Sequence, residues 1–198
     1  MRVVLASSNG GKLRELSSLL APLGFDLVAQ STLGIETPPE TGQTFADNAL
    51  LKARHAAAVT HLPALADDSG IEVDALGGRP GIYSARYAGE GASDQANLRK
   101  MLDDIRDVPV PQRIARYQCV IAFVATAADC TPIIASGTWE GMLISDPRGL
   151  GGFGYDPIFV PRGFERTAAE LEPQEKNSLS HRGQALRALV TQLQSRGK

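Results

Sequence analysis

Cysteine is scarce in this chain, long apolar runs are missing, and neither sign of charge dominates. Each shortage excludes something. Two cysteines, Cys119 and Cys130, make neither a disulfide framework nor a zinc cluster. Cys119 sits in an apolar run, where an inert core thiol sits, and both are expected to be reduced. No apolar run approaches the roughly 20 residues a membrane span needs, which argues against a membrane partner. The N-terminus, Met1-Arg2-Val3-Val4-Leu5-Ala6, turns polar too soon for a signal peptide, so the cytoplasm is expected. The 20 basic and 22 acidic residues leave a net charge of -2. That removes the electrostatic case for a nucleic-acid polymer as partner. A small charged ligand held by a few residues stays open. His55 and His61 read as helix-surface residues with no metal-ligand partners.

What is present is an ordinary globular pattern. The 198 residues suit one domain, residues 1-198, with a full core. No repeat, linker or low-complexity segment interrupts it. Residues 2–7 read as a short buried strand. An amphipathic helix follows Gly10-Gly11, with Leu13, Leu16, Leu20 and Leu23 on one stripe and Pro22 and Gly24 as its stop. A second strand covers residues 25–29, and residues 37–43 form a loop. Thr44, with Asp47 three residues on, marks a capping box for a helix to about Thr60. The strand from Leu65 is expected to end at Asp67-Asp68-Ser69-Gly70. Ser93-Asp94 caps a helix to about Ile105. Residues 113–126 and 133–145 read as two long strands, paired antiparallel. Residues 158–160 make a short strand, and Ser180 begins a last helix with Leu186, Leu189, Val190 and Leu193 inward. Strand–helix alternation combined with a β pair predicts an α/β fold with a mixed sheet, one unit or two lobes around a cleft.

Several runs carry chemistry. Ser7-Ser8-Asn9-Gly10-Gly11-Lys12 lies between a strand and a helix, where converging donors suit an anion. Lys12 in a first helical turn opposes the helix dipole, at about 0.3–1 kcal/mol, and a bound anion would reverse that. A solvated Lys12, or one paired with Glu15, is the plain alternative. The run lacks the GKS or GKT ending of a Walker A loop, which argues against a P-loop NTPase. Lys52 shares a stripe with Phe45, Ala49, Ala56 and Val59, so it either snorkels outward or points into a site, with Asn48 one turn back.

Two adjacent carboxylates, Asp67 and Asp68, stand among apolar neighbours, with Glu40 upstream. Neighbours in a regular strand face opposite ways. Both reach one site only if the strand breaks at Ser69-Gly70; otherwise one works and the other is structural. Magnesium prefers a few carboxylates plus phosphate oxygens, which suits Glu40 and one Asp. Phe153, set among glycines in Gly151-Gly152-Phe153-Gly154-Tyr155-Asp156-Pro157, offers a flat platform for a ring, and Asp156 an acceptor for a ring N–H. Lys176, His181 and Arg182 gather near a further helix N-terminus. Arg86, in the run from Gly77 to Tyr87, reads as a support for a carboxylate or a cleft wall.

Taken together and in this order, the stretches Ser7 to Lys12, Glu40 to Lys52, Asp67 to Tyr87, Gly152 to Pro157 and Lys176 to Arg182 resemble the inosine triphosphate pyrophosphatase family (XTP/dITP pyrophosphatases). The one departure is Ser7-Ser8, where many members have Thr and Gly; the loop stays small and donor-rich. The resemblance implies an elongated two-lobed fold, a long mixed sheet flanked by helices, a central nucleotide cleft and a homodimer. It implies hydrolysis of the deaminated purine nucleotides ITP, dITP and XTP to monophosphate and pyrophosphate, with Mg2+. In that chemistry Lys12 and Lys52 meet phosphates, and Asp68 takes the proton from the attacking water. Asp67 is a second-choice base or metal ligand. Glu40 and Asp68 hold the metal, so base and metal roles overlap at Asp68. Ser7, Ser8, Asn9, Gly10, Gly11, Lys12 and Ser69 bind substrate, as do Gly154 and Tyr155. Phe153 stacks on the purine, and Asp156, Lys176, His181 and Arg182 line its edge. The presence of Glu40, Asp68, Lys12 and Lys52 together favours an enzyme over a nucleotide sensor that does not hydrolyse. A pyrophosphatase for other nucleotides is the rival enzyme.

Overall fold

The computed structural model describes residues 1–21 and 24–196. Pro22 and Leu23, read above as a helix stop and part of its stripe, lie outside the described residues. The six-stranded sheet has the order β2-β1-β3-β4-β5-β6. β1 (Arg2–Leu5), β2 (Asp26–Ala29) and β3 (Ala64–Val73) are parallel, with Val4 opposite both Val28 and Ala64. Val3, Val4 and Leu5 are buried, as expected of a parallel strand covered on both faces. β4 (Ile114–Val124) and β5 (Ile133–Leu143) are neighbours. Leu143 N–H donates to the Arg113 carbonyl, and the side chains of Thr138 and Gln118 bond each other. Numbers rise along one strand as they fall along the other, which is the antiparallel sense. β6 (Phe159–Pro161) pairs antiparallel with β5. The sheet is mixed, as the alternation predicts.

Local chemistry starts the helices where the caps stand. Asn9 caps α1 (Gly10–Leu20), its side chain accepting from Gly11 and Lys12 N–H. Thr44 and Asp47 complete the capping box of α2 (Phe45–Thr60). Ser93 caps α3 (Asp94–Asp104). α4 (Pro173–Leu179) and α5 (His181–Arg196) close the chain.

The chain divides into two compact units, and β3, β4 and β5 contribute residues to each. One unit comprises Met1–Asp68, Cys119–Gly137 and Arg182–Lys198. Its core sets Leu16 and Leu20 of α1 and Leu186 and Leu189 of α5 with Val3, Leu65 and Ile121 of the sheet. A further cluster places Ala49, Ala53, Ala56 and Ala57 of α2 with Val4, Ala66 and Val124. The other unit, Ser69–Gln118 and Thr138–His181, is built around Ile71, Met101, Tyr117, Trp139 and Phe159.

Three features differ from the sequence reading. β3 does not end at the carboxylates but runs on to Val73. Gly70 marks a close approach of backbone instead: a Cβ there would lie 2.2 Å from the Gly81 carbonyl oxygen and 2.4 Å from Ser84 Oγ. Ser84 Oγ in turn accepts from Ile71 N–H at 2.9 Å. Second, Lys176 does not stand at a helix N-terminus. It lies in α4, whose C-cap is Ser180, and α5 begins at His181. A helix as short as α4 leaves no apolar periodicity to read. Third, Val59 is exposed rather than part of the inward stripe of α2.

Cys119 is fully buried and Cys130 exposed, and both are free thiols. Burial, together with the Asp67 carboxylate, pushes the Cys119 thiol up to about 12. We expect Ellman's reagent to titrate one thiol in the native chain and two in denaturant; two fast native thiols would contradict the packing around β4.

Candidate active site

The first group of polar residues is built on α1, α2 and β3. Because β3 continues without a break, Asp67 and Asp68 face opposite ways, and their partners differ. The Asp67 carboxylate is 1% exposed. Its Oδ2 pairs with Lys12 Nζ at 3.1 Å and accepts from Nε and Nη2 of Arg182, each at 3.4 Å. Arg182 Nη1 donates to Glu15 Oε2. Charges therefore alternate along Lys12, Asp67, Arg182 and Glu15. Burial alone would raise the Asp67 pKa, but Lys12, Arg182 and Lys52 outweigh it and hold the carboxyl well below the usual range. That carboxylate contributes its full stability above about pH 4, the ordinary carboxyl value. The contribution is lost only as pH falls through the lowered folded value.

Asp68 keeps other company. Its Oδ1 lies 3.3 Å from Lys52 Nζ, and its Oδ2 accepts from Asn48 Nδ2 at 3.2 Å. Lys52 Nζ also donates to Glu40 Oε1 at 2.7 Å. Asn48 Oδ1 accepts from Gly42 N–H at 2.8 Å, so one amide ties the Glu40 loop to the β3 carboxylate. Burial raises the Asp68 pKa above its ordinary value, against the pull of Lys52 and Lys12, with Glu40 adding to the rise. Burial would lower Lys52, but Asp68, Asp67 and Glu40 more than restore it, and it stays protonated. Lys52 thus points inward, to Asp68 and Glu40, and does not snorkel.

In the loop before α1, Ser7 is buried and its Oγ accepts from Asn9 N–H at 3.3 Å, while Ser8 and Gly10 are exposed. Asn9 Oδ1 accepts from Gly11 and Lys12 N–H at 2.9 and 3.1 Å. Ser69, next along β3, is half-buried.

The second group surrounds Asp156. Its Oδ2 accepts from Lys176 Nζ at 2.7 Å and from Phe153 N–H at 2.8 Å, and its Oδ1 from the Tyr117 hydroxyl at 3.2 Å. Gly152 takes φ +71°, and a Cβ there would fall 2.1 Å from Asp156 Oδ2, so the turn requires glycine. Lys176 Nζ sits over the Phe153 ring, 4.9 Å from its centroid. Phe153 also borders a cavity of about 460 Å³ lined by Asp94, Leu98, Pro147, Leu150 and Pro157. His181 stacks on Tyr117. Tyr155 turns inward, its hydroxyl donating to the Ser84 carbonyl at 2.8 Å. Gly154 N–H donates to Asp94 Oδ2 at 3.0 Å.

Arg182 does not join the Asp156 group; it belongs with Asp67. Arg86 pairs with Glu90 at 3.4 Å and lies over the Tyr83 ring. Tyr117 and the Glu15–Arg182 contact escaped the sequence reading. Tyr117 is one apolar-facing residue of a long strand, and Glu15 reads from the sequence as a partner for its helical neighbour Lys12.

Residues 3–192 match the Ham1 family. The chain belongs to the Ham1 family. It is 57% identical to the dITP/XTP pyrophosphatase of Shigella flexneri and 56% identical to that of Escherichia coli K12, each over 98% of both chains. Its fold is similar to that of a HAM1 protein from Coxiella burnetii, with TM-score 0.89 and 48% identity over 98% of this chain and 99% of that one. A nucleoside-triphosphatase, dITP/XTP pyrophosphatase, from Mycobacterium abscessus gives TM-score 0.76 at 46% identity, over 96% and 99%.

In this Ham1-family chain the buried Arg182 holds Asp67 as much as Asp67 holds it. Removing one member of a buried ion pair costs about 3–5 kcal/mol. Arg182→Met is expected to lower the urea unfolding free energy by that amount, whereas Arg106→Met, on the exposed pair with Asp103, is expected to cost under about 1 kcal/mol. Equal losses would contradict the row of charges.

Proposed function

We propose that the chain hydrolyses deaminated purine nucleoside triphosphates (dITP, ITP and XTP) to the monophosphate and pyrophosphate, acting as one domain over residues 1-198. The observation that carries the reading is the Lys52 ammonium held between Asp68 and Glu40 in a chain so similar, end to end, to dITP/XTP pyrophosphatases. Lys12 and Lys52 meet the phosphates, with the loop from Ser7 to Gly11 against the same end of the substrate. Asp68 accepts the proton of the water that attacks the α-phosphorus. Its raised pKa brings it nearer to neutrality, which suits a general base. Phosphoryl transfer asks mainly for positioning and charge stabilisation, and both lysines are already fixed by carboxylates.

The donor set fits magnesium. In the first group Lys12, Lys52 and Arg182 stand against Asp67, Asp68, Glu40 and Glu15. Three cations are thus answered by four carboxylates before a polyanion arrives. Among the described residues no three carboxylate, histidine or thiol groups converge on a metal position. Magnesium needs only one or two carboxylates when phosphate oxygens and water complete its shell; Glu40 and Asp68 would hold it. Bound there, it would neutralise phosphate charge and acidify a water.

On the base side, Phe153 presents its ring, and Lys176 and His181 present donors to a keto edge. An adenine amino group would leave such buried donors unpaired, a loss that can reach about 10⁴ in rate. Arg182 is not on this side; it serves the phosphate end, through Asp67. None of the described helices is long and apolar enough to cross a membrane. We place the enzyme in the cytoplasm, as a homodimer in keeping with the family resemblance.

The test is pyrophosphate release from dITP, ITP, XTP, ATP and GTP, with magnesium and with chelator. Fast release from the first three, abolished by chelator, is expected. Orthophosphate as the first product would contradict attack at the α-phosphorus, and turnover only of modified pyrimidine triphosphates would favour the rival enzyme. Phe153→Ala is expected to raise KM for dITP about tenfold, the scale of one lost base stack, with kcat little changed; an unchanged KM would place the platform elsewhere.

A further inference from the structure

Tyr117 touches the second group at two independent places. It lies on β4 and is 7% exposed. Its hydroxyl donates to Asp156 Oδ1 at 3.2 Å. Its ring lies face to face with the His181 imidazole, with centroids 4.7 Å and planes 7° apart. The ring is itself flanked by Phe159, edge-on at 4.8 Å, and by Trp139, 6.5 Å from Tyr117 and 6.4 Å from His181. The tyrosine therefore cannot tilt without disturbing the core of its unit.

We propose that Tyr117 is a positioning residue for base recognition, setting the Asp156 carboxylate through its hydroxyl and the His181 plane through its ring. The hydroxyl fixes the rotation of the Asp156 carboxylate by occupying Oδ1. That leaves Oδ2 aimed at Lys176 Nζ and Phe153 N–H, the two contacts that hold the ammonium and the aromatic platform together. A phenyl ring at residue 117 would keep the stack and lose the rotation lock. Asp156 would then choose between its donors, and Lys176 and Phe153 would lose their fixed relation. The same residue limits His181 to one plane, so its ring nitrogens stay in that plane. Tyr117 does not itself touch the purine. Its hydroxyl and its ring face are both spent on residues that do.

The inference rests on the proposal that Phe153, Lys176 and His181 meet the base. Tyr117→Phe removes only the hydroxyl, and Tyr117→Leu removes the stack as well. Steady-state kinetics with dITP and inhibition by inorganic tripolyphosphate, which has no base, separate the two ends of the substrate. For Tyr117→Phe we expect KM for dITP to rise about tenfold, the scale of one lost hydrogen bond to a charged group. We expect kcat and the tripolyphosphate inhibition constant to stay put, and Tyr117→Leu to raise KM further. In an Asp156→Asn background the Tyr117→Phe change should add nothing, since the hydroxyl acts through that carboxylate. An unchanged KM, a parallel shift in tripolyphosphate inhibition, or additivity with Asp156→Asn would overturn the role of Tyr117. Wild-type protein that released no pyrophosphate from dITP would overturn the underlying reading and this role with it. Wild-type turnover alongside an unaltered Tyr117→Phe would overturn the role of Tyr117 alone.

Discussion

Two neighbouring carboxylates buried on one uninterrupted strand are the constraint to which the surrounding charged side chains answer. Strand geometry sends Asp67 and Asp68 to opposite sides, and each pairs directly with a different cation. An isolated buried charge is too costly to keep, so each side must bring its own cation. Lys12 and Arg182 answer Asp67, and Lys52 answers Asp68. The partners recruit partners in turn. Arg182 requires Glu15, and Lys52 takes Glu40. Residues from α1, the loop before α2, α2, β3 and α5 are thereby tied by charge, far apart in sequence.

The two carboxylates end with opposite electrostatics. Asp67 is saturated with cations and stays ionised at any ordinary pH. Asp68 is weakly compensated, and burial leaves its charge costly. A saturated carboxylate anchors; an under-compensated one gains from a proton or a metal. The chemistry of the site follows from this asymmetry. Under the proposed function the two lysines that meet phosphate are already largely desolvated and oriented, which would spare the cost of ordering them at the moment of binding. Under the same proposal the excess of carboxylates would suit a divalent cation arriving with the polyanion.

Much of this was legible in the residues. The capping boxes, the apolar stripes and the β-branched runs place α2, α3, β1, β4 and β5 close to where they lie, because those signals are local. The chemical runs stood out for a related reason: lysine in an apolar stripe and paired aspartates among alanines are locally inconsistent, and such inconsistency marks a site. What stayed hidden depends on tertiary approach. Ser69-Gly70 reads as a strand end, yet Gly70 is glycine because the Gly81 carbonyl lies against it. Arg182 reads as a neighbour of His181, yet a helix start directs the two side chains to different company. Tyr117 carries no local mark, since a hydroxyl in a long strand looks like any half-polar core residue.

The division of labour between the carboxylates is tested most directly by comparing Asp67→Asn with Asp68→Asn, reading kcat for dITP beside the urea unfolding free energy. The account predicts that Asp67→Asn loses about 3–5 kcal/mol of stability because Lys12 and Arg182 lose their counter-charge. It predicts that Asp68→Asn keeps or gains stability while kcat falls about 10²–10⁴-fold and nucleotide still binds. A stable Asp67→Asn, or an Asp68→Asn variant that turns over normally, would contradict it.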